Sequence, residues 1–367
     1  MRTLILILAA LAIATPVQAA DPPVKPAPAP APTEIVAAAP QTDWTGIDPA
    51  DLLVMDLAAD AKGKPRRVVI QLLPAPFSQG WVGNVRKLAA AHWWDGLSIY
   101  RVQDNYVTQW GDPDGDDKAN ARALPTGLLE VPQTCYSISF DSDECTFAEV
   151  ISDPREAAMA AARDAAQAAI AAANEFQRGQ FVDPSIESTK TRTAKKGWHQ
   201  RDSFAPWVEF YDGFPVASDN AGKKVRFWPV HCYGMVGVGR DMPPNTGTGA
   251  ELYTVIGHAP RHLDRNIALI GRIIEGMEHM SSLPRGHGPL GFYDAAQGDE
   301  RVPIVSVRLA EEVTDLPRYE YLSTESVSFA KYADARANRR DPFFLRAAGG
   351  ADICNIPVPV RRATGSR

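Results

Sequence analysis

The residues best suited to chemistry lie in one short stretch, LSIYRVQDNYVTQWGD, at positions 97–112. Arg101 stands inside an apolar run and Gln109 inside the next. A guanidinium is permanently cationic and carries five donors in a rigid fork, so it can stabilise a lone pair or a growing negative charge without titrating. Pattern alone favours a plainer reading, a surface charge on the outer face of a strand. Three other groupings fail on spacing. The acidic run from Asp112 to Asp117 resembles a calcium loop, but its sixth residue is Asp117 and its twelfth Ala123, where glycine and glutamate are required. It reads as a polar turn. His258 and His262 are four apart with Asp264 close by, yet Pro260 between them argues against the helix that would align two metal ligands. The glycines at 234, 237, 239, 247 and 249 make no GxGxxG or phosphate loop, and neither GxSxG nor HExxH occurs. No metal or cofactor is expected.

The elements around this stretch are mostly strands. Residues 52–57 and 68–73 are apolar and β-branched, joined by the polar ADAKGKPR, and read as a hairpin. Residues 78–91 place Trp81, Val82, Val85, Leu88 and Ala89 near helical spacing, so a helix packed on a sheet is expected. Two strands follow, at 97–103 and 106–112. Apolar periodicity returns at 233–238, 252–256, 267–274 and 303–309. The pattern implies mainly antiparallel β with a few helices. Between these groups the texture changes. Asp153 and Pro154 open an alanine-rich helix that stops near Gly179, and 183–203 reads as a polar loop. The tail beyond Ala310 suggests no role.

The ends and the charge bound the setting. Met1-Arg2, the apolar run 4–13, Pro16 and small residues at 17–19 form a secretory leader cleaved near Ala19. A membrane anchor is the weaker alternative, because a span needs about 20 apolar residues. No stable membrane span is expected after cleavage, and the location is periplasmic or secreted for a bacterial source. The Pro/Ala alternation over 20–42 reads as an extended spacer outside the fold. A net charge of −6 argues against nucleic acid as a partner. Export permits disulfides. Four cysteines allow three pairings; Cys135–Cys145 with Cys232–Cys354 is favoured because CYSISFDSDEC can close a small loop, and unpaired buried thiols are the alternative.

Three segments, in order, resemble the cyclophilin-type peptidyl-prolyl isomerases: VVIQLLPAPFSQGWVGNVRKLAAAHWWDGLSIYRV, YVTQWGDPDG and YGMVGVGRDMPPNTGTGAELYTVIGHAPRHLDRNIALIGRIIEGME. The resemblance implies a closed antiparallel eight-stranded barrel with capping helices over 43–310. It also implies a partly helical insertion at about 127–229 and a C-terminal extension at 311–367. It makes Arg101 the catalytic arginine and Gln109 the substrate-orienting glutamine. Tyr106, Val107, Tyr253 and Leu263 fall at positions of the proline pocket, His262 where the family often has tryptophan, and Met235 along the adjoining groove. The partners implied are proline-containing polypeptides. The sequence departs from the pattern at Gly237, at Ala250-Glu251, at Ile267 in place of a late histidine and at Trp110. The two tyrosine hydroxyls, of Tyr106 and Tyr253, imply a wetter pocket, and the remodelled walls imply altered sequence preference and weak binding of cyclosporin-like inhibitors. Two rival readings stay open: a peptide-gripping module with little turnover, and, more remotely, a metal hydrolase using His258, His262 and Asp264.

Overall fold

The computed structural model describes residues 28–115, 117, 119–139, 145, 198–220 and 224–363. The leader, the alanine-rich helix and most of the polar loop lie outside the described residues. The chain enters through helix α1 (Pro32–Ala37) and strand β1 (Trp44–Gly46). A hairpin of β2 (Leu52–Leu57) and β3 (Arg66–Leu72) leads to helix α2 (Gln79–Ala90). A second hairpin follows, β4 (Ser98–Val102) and β5 (Val107–Gly111). Next come β6 (Trp207–Tyr211), β7 (Phe214–Asp219) and β8 (Arg226–Pro229), then β9 (Met235–Val238), β10 (Leu252–Val255) and β11 (Leu269–Glu275). The chain ends through the single turn α3 (Glu278–Ser281), β12 (Val302–Leu309), β13 (Tyr319–Leu322), helix α4 (Val327–Ala337) and β14 (Val360–Arg362).

Eight strands close into an antiparallel barrel in the order β10-β5-β4-β12-β2-β3-β11-β9, with β9 returning to β10. Closure removes the open edges that a flat sheet would expose. Alternation along β2 shows how the barrel is covered. Leu53, Met55 and Leu57 join the main core with Ile70, Leu72 and the α2 residues Trp81, Val85 and Leu88. The alternate residues Leu52 and Val54 point outward, yet are also buried, against Ala310, Tyr319 and Tyr321. The outer cover is the sheet β1-β13-β14, which explains why β2 is apolar on both faces.

That cover corrects one expectation and shows what the tail does. The spacer does not run to residue 42: α1 forms with Pro32 at its first position, where a missing N–H costs nothing, and Glu34 accepts the Ala31 N–H at 2.8 Å. Ile35 and Val36 of α1 pack on the cluster of Trp44, Leu322, Phe329 and Tyr332. The tail beyond Ala310 is structured, because β13 pairs with β1 on one side and β14 on the other. Strands β6 to β8, between β5 and β9, form a third sheet where only a partly helical insertion at about 127–229 is expected from sequence.

Both favoured cysteine pairs are bonded, Cys135–Cys145 and Cys232–Cys354. The second spans 122 positions and ties the C-terminal segment to the barrel just before β9. Replacing both of its cysteines with alanine should lower the unfolding free energy by about 2–4 kcal/mol, read as a shift of the urea midpoint. An unchanged midpoint would show that the sheet contacts alone hold the C-terminal segment.

Candidate functional site

The strand registers line up four residues in one row across four neighbouring strands. Arg101 on β4 is opposite Gln109 on β5, Gln109 is opposite Tyr253 on β10, and Tyr253 is opposite Gly237 on β9. A bulge between Ile99 and Arg101 makes this register possible: Ile99 pairs with Trp110, and Tyr100 is the extra residue. Such bulges re-aim side chains. Here Ile99 enters the barrel core while Arg101 lies half-buried outside it. The apolar surroundings of Arg101 are thus the neighbours of a wall and not a reason to bury the charge.

Every bond that Arg101 makes is to a neutral acceptor. Its Nε donates to the Leu290 carbonyl at 2.8 Å, one Nη to Gln109 Oε1 at 2.9 Å and the other to Gln103 Oε1 at 2.6 Å. Its Cζ lies 5.2 Å from the Phe292 ring centre and 6.0 Å from that of Tyr106, within cation–π range. Among the described residues no carboxylate pairs with it. Burial lowers its pKa from the usual guanidinium value, with Tyr106 and Tyr100 opposing. Gln109 is fixed from its other end, since its Nε2 donates to the Tyr100 hydroxyl at 2.6 Å. That hydroxyl donates in turn to Glu251, whose second oxygen accepts the Asp112 N–H at 2.8 Å. Burial first, and the Glu251 charge second, raise the Tyr100 pKa far above the tyrosine range.

Beside the row lies an open cavity of about 650 Å³, inside the usual range for small-ligand sites. Arg101, Tyr106, Val107, Gln109, Tyr253 and Leu263 all line it, so the structure brings six of the eight candidate residues together. Val107, Tyr253 and Val255 form a small apolar cluster with Tyr106, Leu263 and Ile267 packed on it. His262 does not line the cavity. It is exposed and stacks on Tyr106 with ring centres 6.4 Å apart. Met235 is a correction: it lies on the same face of β9 as Gly237 but two residues away, where the Cys232–Cys354 bridge and Ile353 cover it. It lines a separate cavity of about 380 Å³.

The wetter pocket expected from Tyr253 is also corrected. Its hydroxyl is buried, 2.9 Å from Nε2 of His231. His231 Nδ1 donates to Asp264 Oδ1 at 2.9 Å, and its backbone N–H reaches the same oxygen at 3.0 Å. Asp264 Oδ2 accepts from Arg261 Nε at 2.7 Å, and Arg261 also grips Asp202 with both Nη atoms, at 2.7 and 2.9 Å. The Tyr253 phenol is therefore spent inside a buried polar network, and burial holds its pKa well above the ordinary value. Gly237 follows from the same arrangement, because a Cβ there would overlap the Tyr253 ring. The metal reading of His258, His262 and Asp264 loses its third ligand to this network. Among the described residues no cluster of His, Cys, Asp or Glu is arranged to hold a metal ion. The acidic stretch likewise closes on itself, with Asp112 accepting the N–H groups of Asp114 and Arg122.

Sequence reading missed Tyr100, Gln103, His231, Leu290 and Phe292. Tyr100 and Gln103 flank Arg101, and only the bulge shows that Tyr100 turns toward Gln109. His231 carries no local pattern. Leu290 and Phe292 come from a turn some 190 positions away that bridges to Arg101.

The family model described as Cyclophilin type peptidyl-prolyl cis-trans isomerase/CLD matches residues 66–309. A crystallised cyclophilin from Hirschia baltica superposes with a TM-score of 0.52 at 19% identity, covering 87% of this chain and 94% of its own. A Cryptosporidium parvum cyclophilin type peptidyl-prolyl cis-trans isomerase, crystallised in the presence of the dipeptide Ala-Pro, gives 0.33 at 8% identity over 70% of this chain and 98% of its own. No curated protein sequence matches the chain.

Proposed function

Because the chain belongs to the cyclophilin-type peptidyl-prolyl cis-trans isomerase family, we propose that the cavity beside Arg101 takes a proline ring and that the guanidinium assists rotation of the preceding amide. An X–Pro bond isomerises slowly because resonance gives it double-bond character, with a barrier of about 18–20 kcal/mol. Rotation needs neither proton transfer nor a nucleophile. At the midpoint the proline nitrogen is pyramidal and regains a lone pair, so a fixed donor stabilises that state more than either planar end.

The observation that carries this reading is the hydrogen-bond inventory of Arg101. Three of its five N–H donors are spent on Leu290, Gln103 and Gln109, which hold the plane of the group. The remaining two are available to a substrate nitrogen or carbonyl. Tyr106, Val107, Tyr253 and Leu263 offer the apolar walls that grip the ring while the rest of the peptide turns. Gln109 orients substrate, and Tyr100 positions Gln109. The leader-like N-terminus and the paired cysteines support an exported protein, periplasmic or secreted, that assists folding of other exported chains.

A protease-coupled assay on a short Ala-Pro peptide tests the proposal, with turnover above the uncatalysed rate as the expected result. Peptide binding without turnover would instead make the barrel a gripping module. A finer expectation concerns Tyr100. Changing it to phenylalanine removes one bond to Gln109 and one to Glu251 and should lower kcat/KM about three- to tenfold, the worth of roughly one hydrogen bond. Equal rates for the two proteins would detach Gln109 orientation from Tyr100.

A further inference from the structure

The segment from Arg336 to Arg346 presents an unusual surface. Phe343 is 84% exposed and Leu345 99%, while Phe344 between them turns partly inward. The turn carrying them is well braced. The Phe344 N–H donates to the Asp341 carbonyl at 3.0 Å, and buried Asp341 accepts from Arg339 Nε at 2.7 Å. The Arg339 guanidinium lies 4.3 Å over the Phe344 ring. At the far side of the loop the Gly349 N–H donates to the Asn338 side chain at 3.0 Å, and Arg201 donates to the Gly349 carbonyl. Two large apolar side chains are thus held out toward water by a defined backbone.

The charge around them is equally uneven. Arg339, Arg340 and Arg346 flank the tip with Asp341 as the single acid among them, in a chain of net charge −6, while Arg336 turns away and its Nε donates to the Asn355 carbonyl at 2.9 Å. Arg340 has one long, exposed contact to Asp334 at 3.4 Å, and Arg346 pairs with no acid among the described residues. Exposed apolar groups of this size mark contact surfaces. A two-residue tip is too narrow for a stable protein interface, which needs about 1,000 Å². It suits a lipid surface, where apolar side chains sink below the headgroups and flanking arginines meet anionic phosphates.

We propose that this loop is a membrane-contact tip that inserts Phe343 and Leu345 into an anionic bilayer surface. The contact does not depend on the isomerase reading, since no residue from 336 to 346 lines the cavity at Arg101. It is a surface contact and not a span; among the described residues no helix is long and apolar enough to cross a membrane.

The test is hydrogen exchange of the full chain, read at residues 338–349, with vesicles of phosphatidylcholine mixed with phosphatidylglycerol. The local readout matters because the apolar run near the N-terminus can itself partition into lipid. Protection of this loop is expected with the anionic vesicles and not with phosphatidylcholine alone. Phe343→Ser with Leu345→Ser should weaken the binding that gives protection at least tenfold, and Arg340→Gln or Arg346→Gln about fivefold each. A urea unfolding midpoint of the double variant equal to that of the parent serves as the folding control. Absence of protection, equal protection by neutral vesicles, or protection that survives in the double variant would each overturn the proposal. So would protection that rises with protein concentration without vesicles, which would mark the tip as a contact between copies of this chain.

Discussion

Arg101→Ala is expected to lower kcat/KM for an Ala-Pro peptide about a hundredfold, or roughly 3 kcal/mol of transition-state stabilisation. The loss should fall mainly on kcat, because the lone pair that the guanidinium meets exists only near the twisted midpoint. Arg101→Lys should recover little. A lysine ammonium is a point donor on a flexible stem and cannot bond Leu290, Gln103 and Gln109 together while facing substrate. The pH dependence gives a further reading. Burial lowers the Arg101 pKa from the usual guanidinium value, which lies far above neutrality, and it raises those of Tyr100 and Tyr253. The guanidinium therefore keeps its proton, and the two phenols keep theirs beyond the range where an exposed tyrosine ionises. The rate of the parent protein should stay level from about pH 7 to 9.5. Full activity in Arg101→Ala would remove the guanidinium from the mechanism.

Asp264→Ala is expected to destabilise the protein by about 3 kcal/mol and to raise KM for the peptide. Arg261 and Asp264 are both buried, and removal of one partner of such a pair leaves a charge without its counter-ion. Asp202 still accepts from Arg261, which keeps the cost toward the lower end of the range for buried pairs. His231 would lose both bonds that Asp264 gives it, and with them the grip on the Tyr253 hydroxyl. Urea unfolding measures the first effect and steady-state kinetics the second. Tyr253→Phe separates them, since it cuts the tie to the pocket but leaves the ion pairs intact. An Asp264→Ala protein with unchanged KM would confine the network to stability.

The barrel strands and α2 were legible because their cause is local. Apolar alternation marks β2 and β3, and helical spacing from Trp81 to Ala89 marks α2, each within a dozen residues. Most of the site was legible as well, because Arg101, Gln109 and Tyr253 lie on those strands and register joins them. What failed depends on distant partners. Pro32 and Glu34 near Ile35 mark only a helix start, and six residues do not hold a helix alone; α1 is held by packing on the cluster of α4, some 300 positions on. Residue 231 lies between two elements, and its role exists only once Tyr253 and Asp264 have been brought to either side of it. Met235 was misplaced because alternation gives the face of a strand but not what later covers that face.

The row from Arg101 to Gly237 crosses the line where β5 meets β10, two strands whose paired residues are more than 140 positions apart. Each hairpin can form early from its own contacts, but neither holds both the charged donor and the aromatic floor. A refolding chain should therefore regain strand signal well before it regains turnover. The last long-range pairing, and not the first local one, sets the moment at which the molecule becomes an enzyme.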